Sequence, residues 1–87
     1  MKTSNINKEL ADCVNLALEC GQQGNYQGAA NCLQKALDID PDDGMVRFGL
    51  GVAFFLAGNR TAALEQYLIL RKIDMQLGYE LYSLIKG

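Results

Sequence analysis

The residues best equipped for chemistry are three cysteines, Cys13, Cys20 and Cys32, and the acidic stretch "DIDPDDG". Thiolates and imidazoles build zinc sites, usually as four ligands with a C-x2-C pair among them. This chain has no histidine and no such pair, and Cys13 and Cys20 stand seven residues apart. Seven residues are two helical turns, so these cysteines read as small apolar members of a buried stripe. The acidic stretch puts Asp38, Asp40 and Asp42 at alternate positions, as a calcium loop does. That loop also needs glycine at its sixth position and glutamate at its twelfth, where this chain has Asp43 and Gly49. A helix end followed by an acidic N-cap explains the stretch better.

Catalysis finds little material. Thr3, Ser4, Thr61 and Ser83 have no general base close in sequence. Glu9, Asp12 and Glu19 share one helical face and read as a solvated surface. The expectation is a non-enzymatic protein without metal or cofactor.

The elements that must position these residues follow from composition and periodicity. Apolar residues make up 49% of the 87 and charged residues 21%, enough apolar material for one small folded unit spanning residues 1–87. The net charge is −2 and Arg60, Arg71 and Lys72 lie on different turns, so the concentrated positive face that nucleic acid requires is missing. The longest apolar run, "FGLGVAFFLAG" at 48–58, falls short of the about 20 residues that span a bilayer. The first ten residues lack the apolar core of a signal peptide, which points to a cytoplasmic location with reduced thiols.

Sliding the chain by thirty-four residues pairs Leu16 with Leu50, Gly24 with Gly58, Asn25 with Asn59, Ala29 with Ala63, Ile39 with Ile73 and Asp40 with Asp74. A fixed period of this length marks a stacked repeat. Within each unit the apolar spacing is helical, as in Leu10, Cys13, Ala17 and Cys20, then Ala29, Leu33, Ala36 and Leu37. The pattern predicts five helices, at about 7–22, 26–38, 43–57, 60–73 and 76–86. Gly24 and Gly58 supply the turns, and Pro41 ends the second helix. Ala17, Ala29, Gly51 and Ala63 are small enough to let antiparallel helices approach closely.

On these residues the chain resembles the tetratricopeptide repeat family, whose pattern runs W-x2-L-G-x2-Y, then alanine, an aromatic, alanine and proline. A first unit at about 10–43 offers Cys13, Leu16, Ala17, Cys20, Ala29, Leu33, Ala36 and Pro41 at those places. A second at about 44–77 offers Arg47, Leu50, Gly51, Phe54, Ala63, Tyr67, Leu70 and Met75. No tryptophan is present, and Arg47 and Met75 depart from the pattern. The final segment, about 76–86, is similar to the family's C-terminal capping helix. The resemblance implies an all-α, right-handed superhelical stack of two antiparallel helix pairs plus that cap.

It also implies a scaffold or protein-binding role. In the family the first helix of each repeat lines a concave groove, and the matching residues here are Val14, Leu18, Phe48, Val52, Phe55 and Leu56, with Tyr79 and Tyr82 added by the last helix. The third helix has no charged or strongly polar residue between Arg47 and Asn59, so it is apolar all round. Relatives that hold acidic peptide tails use lysine and asparagine where this chain has Val14, Leu18 and Gly49. An apolar segment or an amphipathic helix is the expected partner. The alternative is a homodimer whose groove is the subunit interface, since arrays of fewer than about three repeats commonly lack independent stability.

Overall fold

The structure, a computed structural model, describes residues 2–87, with side chains from Lys8 onward. Five helices follow one another: α1 Lys2–Gln22, α2 Tyr26–Ile39, α3 Gly44–Leu56, α4 Arg60–Ile73 and α5 Met75–Lys86. No strand occurs among the described residues. The helix ends agree with the apolar periodicity to within a residue, except that α1 starts at Lys2 instead of about residue 7. The reason is local: neither glycine nor proline occurs before Gly21, so nothing in the chain stops the helix from running back.

The two turns that fold each pair back on itself are built identically. Gly24 has φ +79° and Gly58 φ +87°, a conformation open to glycine at little cost. At the first turn the Gly24 N–H donates to the Gly21 carbonyl at 3.0 Å and the Asn25 N–H to the Cys20 carbonyl at 2.8 Å. At the second, Gly58 donates to Phe55 at 3.1 Å and Asn59 to Phe54 at 2.8 Å. Both are Schellman closures, which satisfy carbonyls the ending helix leaves free. The asparagine then caps the next helix: Asn25 Oδ1 accepts from the Gly28 N–H at 3.0 Å, and Asn59 Oδ1 from the Ala62 N–H at 3.1 Å. A "GN" dipeptide therefore closes one helix and opens another within two residues.

The connections between pairs differ. Four residues, Asp40 to Asp43, join α2 to α3, and Asp43 Oδ1 caps α3 through the Val46 N–H at 3.2 Å. Only Asp74 separates α4 from α5, and it caps α5 through the Leu77 N–H at 3.2 Å. Met75 stands one period after Pro41, and α5 starts there, three residues ahead of where α3 starts in its own unit.

Two apolar clusters share α3. The first joins α1, α2 and α3 around Ala17, Ala29, Leu33, Ala36, Leu37, Val46, Leu50 and Ala53. The second joins α3, α4 and α5 around Ala63, Leu70, Leu81 and Ile85, with Phe48, Val52 and Phe55 packed on it. Phe54 touches both. This double duty explains most of the apolar surface of α3, although Met45 and Leu56 belong to neither cluster. Gly51 serves a different helix from the one its sequence position suggests: the space it leaves is filled by Leu81 of α5.

Arg47 replaces the large aromatic at the first position of the family pattern and does its joining by hydrogen bonds. Its Nη1 donates to Gln66 Oε1 of α4 at 2.8 Å, and its Nη2 to the Pro41 carbonyl at 3.0 Å. At the far end, Arg60 Nη1 donates to the Ile85 carbonyl at 2.8 Å, satisfying the last turn of α5.

A candidate protein-binding cleft

Between α1 and α3, with α2 as its floor, lies an open cleft of about 670 Å3. Two helical stripes form its walls. Val14, Leu18 and Gln22 come from α1 at intervals of four residues, and Met45, Gly49, Val52 and Leu56 come from α3 at intervals of four, three and four. Those intervals keep each stripe on one face of its helix. Tyr26, Ala29 and Leu33 of α2 close the bottom. The depth follows from small residues: Ala17, Gly21, Ala29, Gly49 and Ala53 all border the space.

Among the described residues, no charged side chain lines the cleft, and Gln22 and Tyr26 carry the polar side-chain atoms there. Its rim is apolar and open to water, with Leu18 60% exposed, Met45 64% and Leu56 50%. A charged ligand would find no counter-charge among these residues, whereas an apolar side chain would exchange water for hydrocarbon on several sides at once.

A second, shallower cleft of about 450 Å3 lies on the other side of Phe48, bordered by Gln76, Tyr79, Glu80, Ser83 and Leu84 of α5. Phe48 is the ridge between the two. Of the residues expected at a binding face, the structure gathers Val14, Leu18, Phe48, Val52 and Leu56 around the large cleft and places Tyr79 in the small one. Phe55 and Tyr82 border neither. Phe55 is half-buried against the second cluster, and the Tyr82 ring packs on Tyr67 with centroids 4.9 Å apart and planes tilted by 35°. Arg71 sits over the other partner of that pair, 5.8 Å from the Tyr67 centroid. Met45 was missed from the sequence although it continues the Gly49, Val52 and Leu56 spacing by one turn. Tyr26, Ala29 and Leu33 were missed because they lie on the second helix of the pair.

The other chemistry-bearing residues are placed as follows. Asp40 Oδ1 accepts the Asp42 N–H at 3.3 Å and Asp43 caps α3, so these carboxylates serve the turn. Cys13, Cys20 and Cys32 are unpaired thiols, half-buried against the first cluster. Burial pushes the Cys32 thiol above its ordinary value, and the neighbouring Cys20 and Cys13 add to the effect, while Lys35 opposes it. Among the described residues, no group of three or more His, Cys, Asp or Glu has the geometry to hold a metal, and no helix is long and apolar enough to cross a membrane.

Comparison with known proteins agrees with this architecture. The family model described as tetratricopeptide repeat matches residues 14–77, well over half of the chain, from the cleft wall on α1 to the start of α5. No curated protein and no solved structure matches the sequence. Two helix pairs closed by the same turn one period apart, small residues where the pairs approach, and the family match over them lead to one conclusion: the chain belongs to the tetratricopeptide repeat family.

Proposed function

We propose that the cleft between α1 and α3 receives the apolar face of an amphipathic helix from a partner protein. Tetratricopeptide repeats generally mediate protein–protein interaction, and the reading for this chain rests on one observation. A cleft of about 670 Å3, with no charged side chain among the described residues that line it, keeps a rim of large apolar side chains in water. Monomeric proteins seldom leave such a patch uncovered without an interaction to make there. A helix presents side chains at i, i+3 or i+4, and i+7, the same rise that separates the wall residues. Val14, Leu18, Val52 and Leu56 are the walls in this proposal, and Phe48 is the end stop. Tyr79 extends the surface beyond it, while Phe55 and Tyr82 act by holding α3 and α5 in place.

The test is a selection of displayed peptides on the purified protein. Enriched peptides should carry large apolar residues at helical spacing and bind with Kd near the micromolar range, about 8 kcal/mol. Leu18→Glu and Leu56→Glu change exposed positions and should leave the fold intact while weakening binding at least about tenfold. Peptides whose binding ignores both substitutions would overturn the proposal. Light scattering on the free protein reads the self-association alternative: a stable dimer that Leu18→Glu dissociates would make the cleft a subunit interface.

A further inference from the structure

Helix α4 carries a second apolar surface, on its outer face and away from both clefts. None of the described residues that line either cleft belongs to α4. Ala63, Gln66 and Leu70 turn inward and are buried, whereas Glu65, Leu68, Ile69 and Lys72 turn outward and are exposed. Leu68 is 52% exposed and Ile69 42%, side by side in the second half of the helix, and neither belongs to an apolar cluster. The repeat does not call for apolar residues here. One period earlier the same four places on α2 hold Asn31, Gln34, Lys35 and Asp38, all exposed and all polar. The same fold therefore accepts a polar outer face, and Leu68 and Ile69 face water for a reason other than the core.

The charges around this pair say what fits it. Glu65 stands three residues before Leu68 and Lys72 three after Ile69, so the two are equally far from the midpoint and opposite in charge. Seven residues fall about 20° short of two full turns, so Glu65 and Lys72 lie on the same side of the helix. A second α4 laid antiparallel, with a two-fold axis at that midpoint, sets Leu68 against the partner's Ile69 and Glu65 against the partner's Lys72, and each contact occurs twice. A parallel pair would set Glu65 against Glu65 and Lys72 against Lys72, which repel. The other cations of α4 are engaged elsewhere: Arg60 Nη1 donates to the Ile85 carbonyl at 2.8 Å, and Arg71 lies 5.8 Å from the Tyr67 ring centroid.

We propose that the outer face of α4 is a homodimer interface in which two copies pair antiparallel about a two-fold axis between Leu68 and Ile69. Burial of the apolar pair supplies the attraction, while the exposed ion pairs add little strength and fix the direction. The fourteen residues of α4 span about 21 Å, so the contact is small and the dimer weak and concentration-dependent. Neither cleft is used, so one dimer presents two of them, and a partner carrying two binding segments would gain by avidity. This inference does not depend on what occupies the cleft.

Sedimentation equilibrium of the purified, reduced chain from about 10 µM to 1 mM should show monomer and dimer in exchange. Leu68→Gln with Ile69→Lys gives α4 the residues that α2 carries at those places, and should weaken association at least about tenfold with unchanged helical circular dichroism. Glu65→Lys and Lys72→Glu should each weaken it by about a few-fold at low salt, since each sets like charges against one another. Mixing those two variants should restore association, because each chain then offers the charge that the other lacks. A chain that stays monomeric throughout overturns the proposal and leaves the face to a different protein. It is also overturned by a dimer that Leu68→Gln with Ile69→Lys leaves intact, by one that Leu18→Glu dissociates instead, or by a mixture that associates no more tightly than either charge variant alone.

Discussion

Leu81 of α5 occupies the space that a side chain at Gly51 of α3 would need: a β-carbon built there would lie 2.5 Å from Leu81 Cδ2 and 3.0 Å from Cδ1. Leu81 is fully buried, so its methyl groups have no free volume to move into. Gly51→Ala should therefore destabilise the fold by about 1–2 kcal/mol despite alanine's better helix propensity, as overpacking outweighs that gain. Gly78→Ala should cost more, because its β-carbon would lie 2.8 Å from the Arg71 Cα, and a backbone atom cannot rotate away. Urea unfolding of both variants checks the order; equal or reversed losses would contradict it.

Arg47 and Gln66 form a polar link in an otherwise apolar interface. Gln66 is buried, and the Arg47 guanidinium is its hydrogen-bond partner. Arg47→Ala leaves that amide without a partner and should cost about 1–3 kcal/mol. The double variant Arg47→Met with Gln66→Leu should recover a measurable part of the loss, since an apolar pair leaves nothing unsatisfied. A double-mutant cycle with no coupling between the two positions would show that the link carries no stability.

The matched turns offer an internal control. Gly24 and Gly58 share the left-handed conformation and the same two hydrogen bonds, and neither has an atom within 4 Å of a built β-carbon. Alanine at either place meets no crowding and should lose only the conformational term, about 1–2 kcal/mol. The two losses should agree closely by thermal unfolding. A large difference would mean that the surroundings of one turn matter more than its backbone.

The raised pKa of the Cys32 thiol carries a sign for stability against pH. The folded state holds the proton more tightly than the unfolded chain does. The resulting stability is fully present below the ordinary thiol value of 9.0 and is lost as pH rises through the folded value. Its causes, in order, are burial, the neighbouring Cys20 and then Cys13, with Lys35 acting against them. Unfolding measured under reducing conditions from pH 7 to 10.5, about one and a half units past that value, should decline less steeply at the alkaline end in Cys32→Ser than in the unaltered protein. Parallel curves would assign the decline to other groups.

Most of the architecture was legible because the residues that set it act locally. Helical spacing of apolar residues, "GN" at the turns and Pro41 after α2 each specify backbone conformation within a few positions, and the thirty-four residue offset then implies that the same solution occurs twice. The cleft was legible in part. Val14, Leu18, Val52 and Leu56 belong to faces that the periodicity defines, so their grouping followed from the helices. Phe55 and Tyr82 lie on surfaces whose fate depends on how α5 docks. That docking turns on the early start of α5 and on the fit of Leu81 to Gly51, a relation between residues thirty positions apart that no local pattern encodes. The capping asparagines could have been read from the sequence, since asparagine followed three residues later by a helical N–H is an N-cap signal.

Because α3 belongs to both apolar clusters, the two helix pairs are not independent blocks set side by side. An array whose neighbours meet only at an interface can open that interface and leave each block folded. Here, parting the two halves would strip α3 of one of its walls and expose Phe54 to water on the side it lost. Opening should therefore begin at the outer helices, where α1 rests chiefly on α2, and amide exchange should be slowest along α3. A ligand seated between α1 and α3 would bridge the most weakly and the most strongly held segments, so its binding would register as slowed exchange in α1, many residues from the centre of the fold.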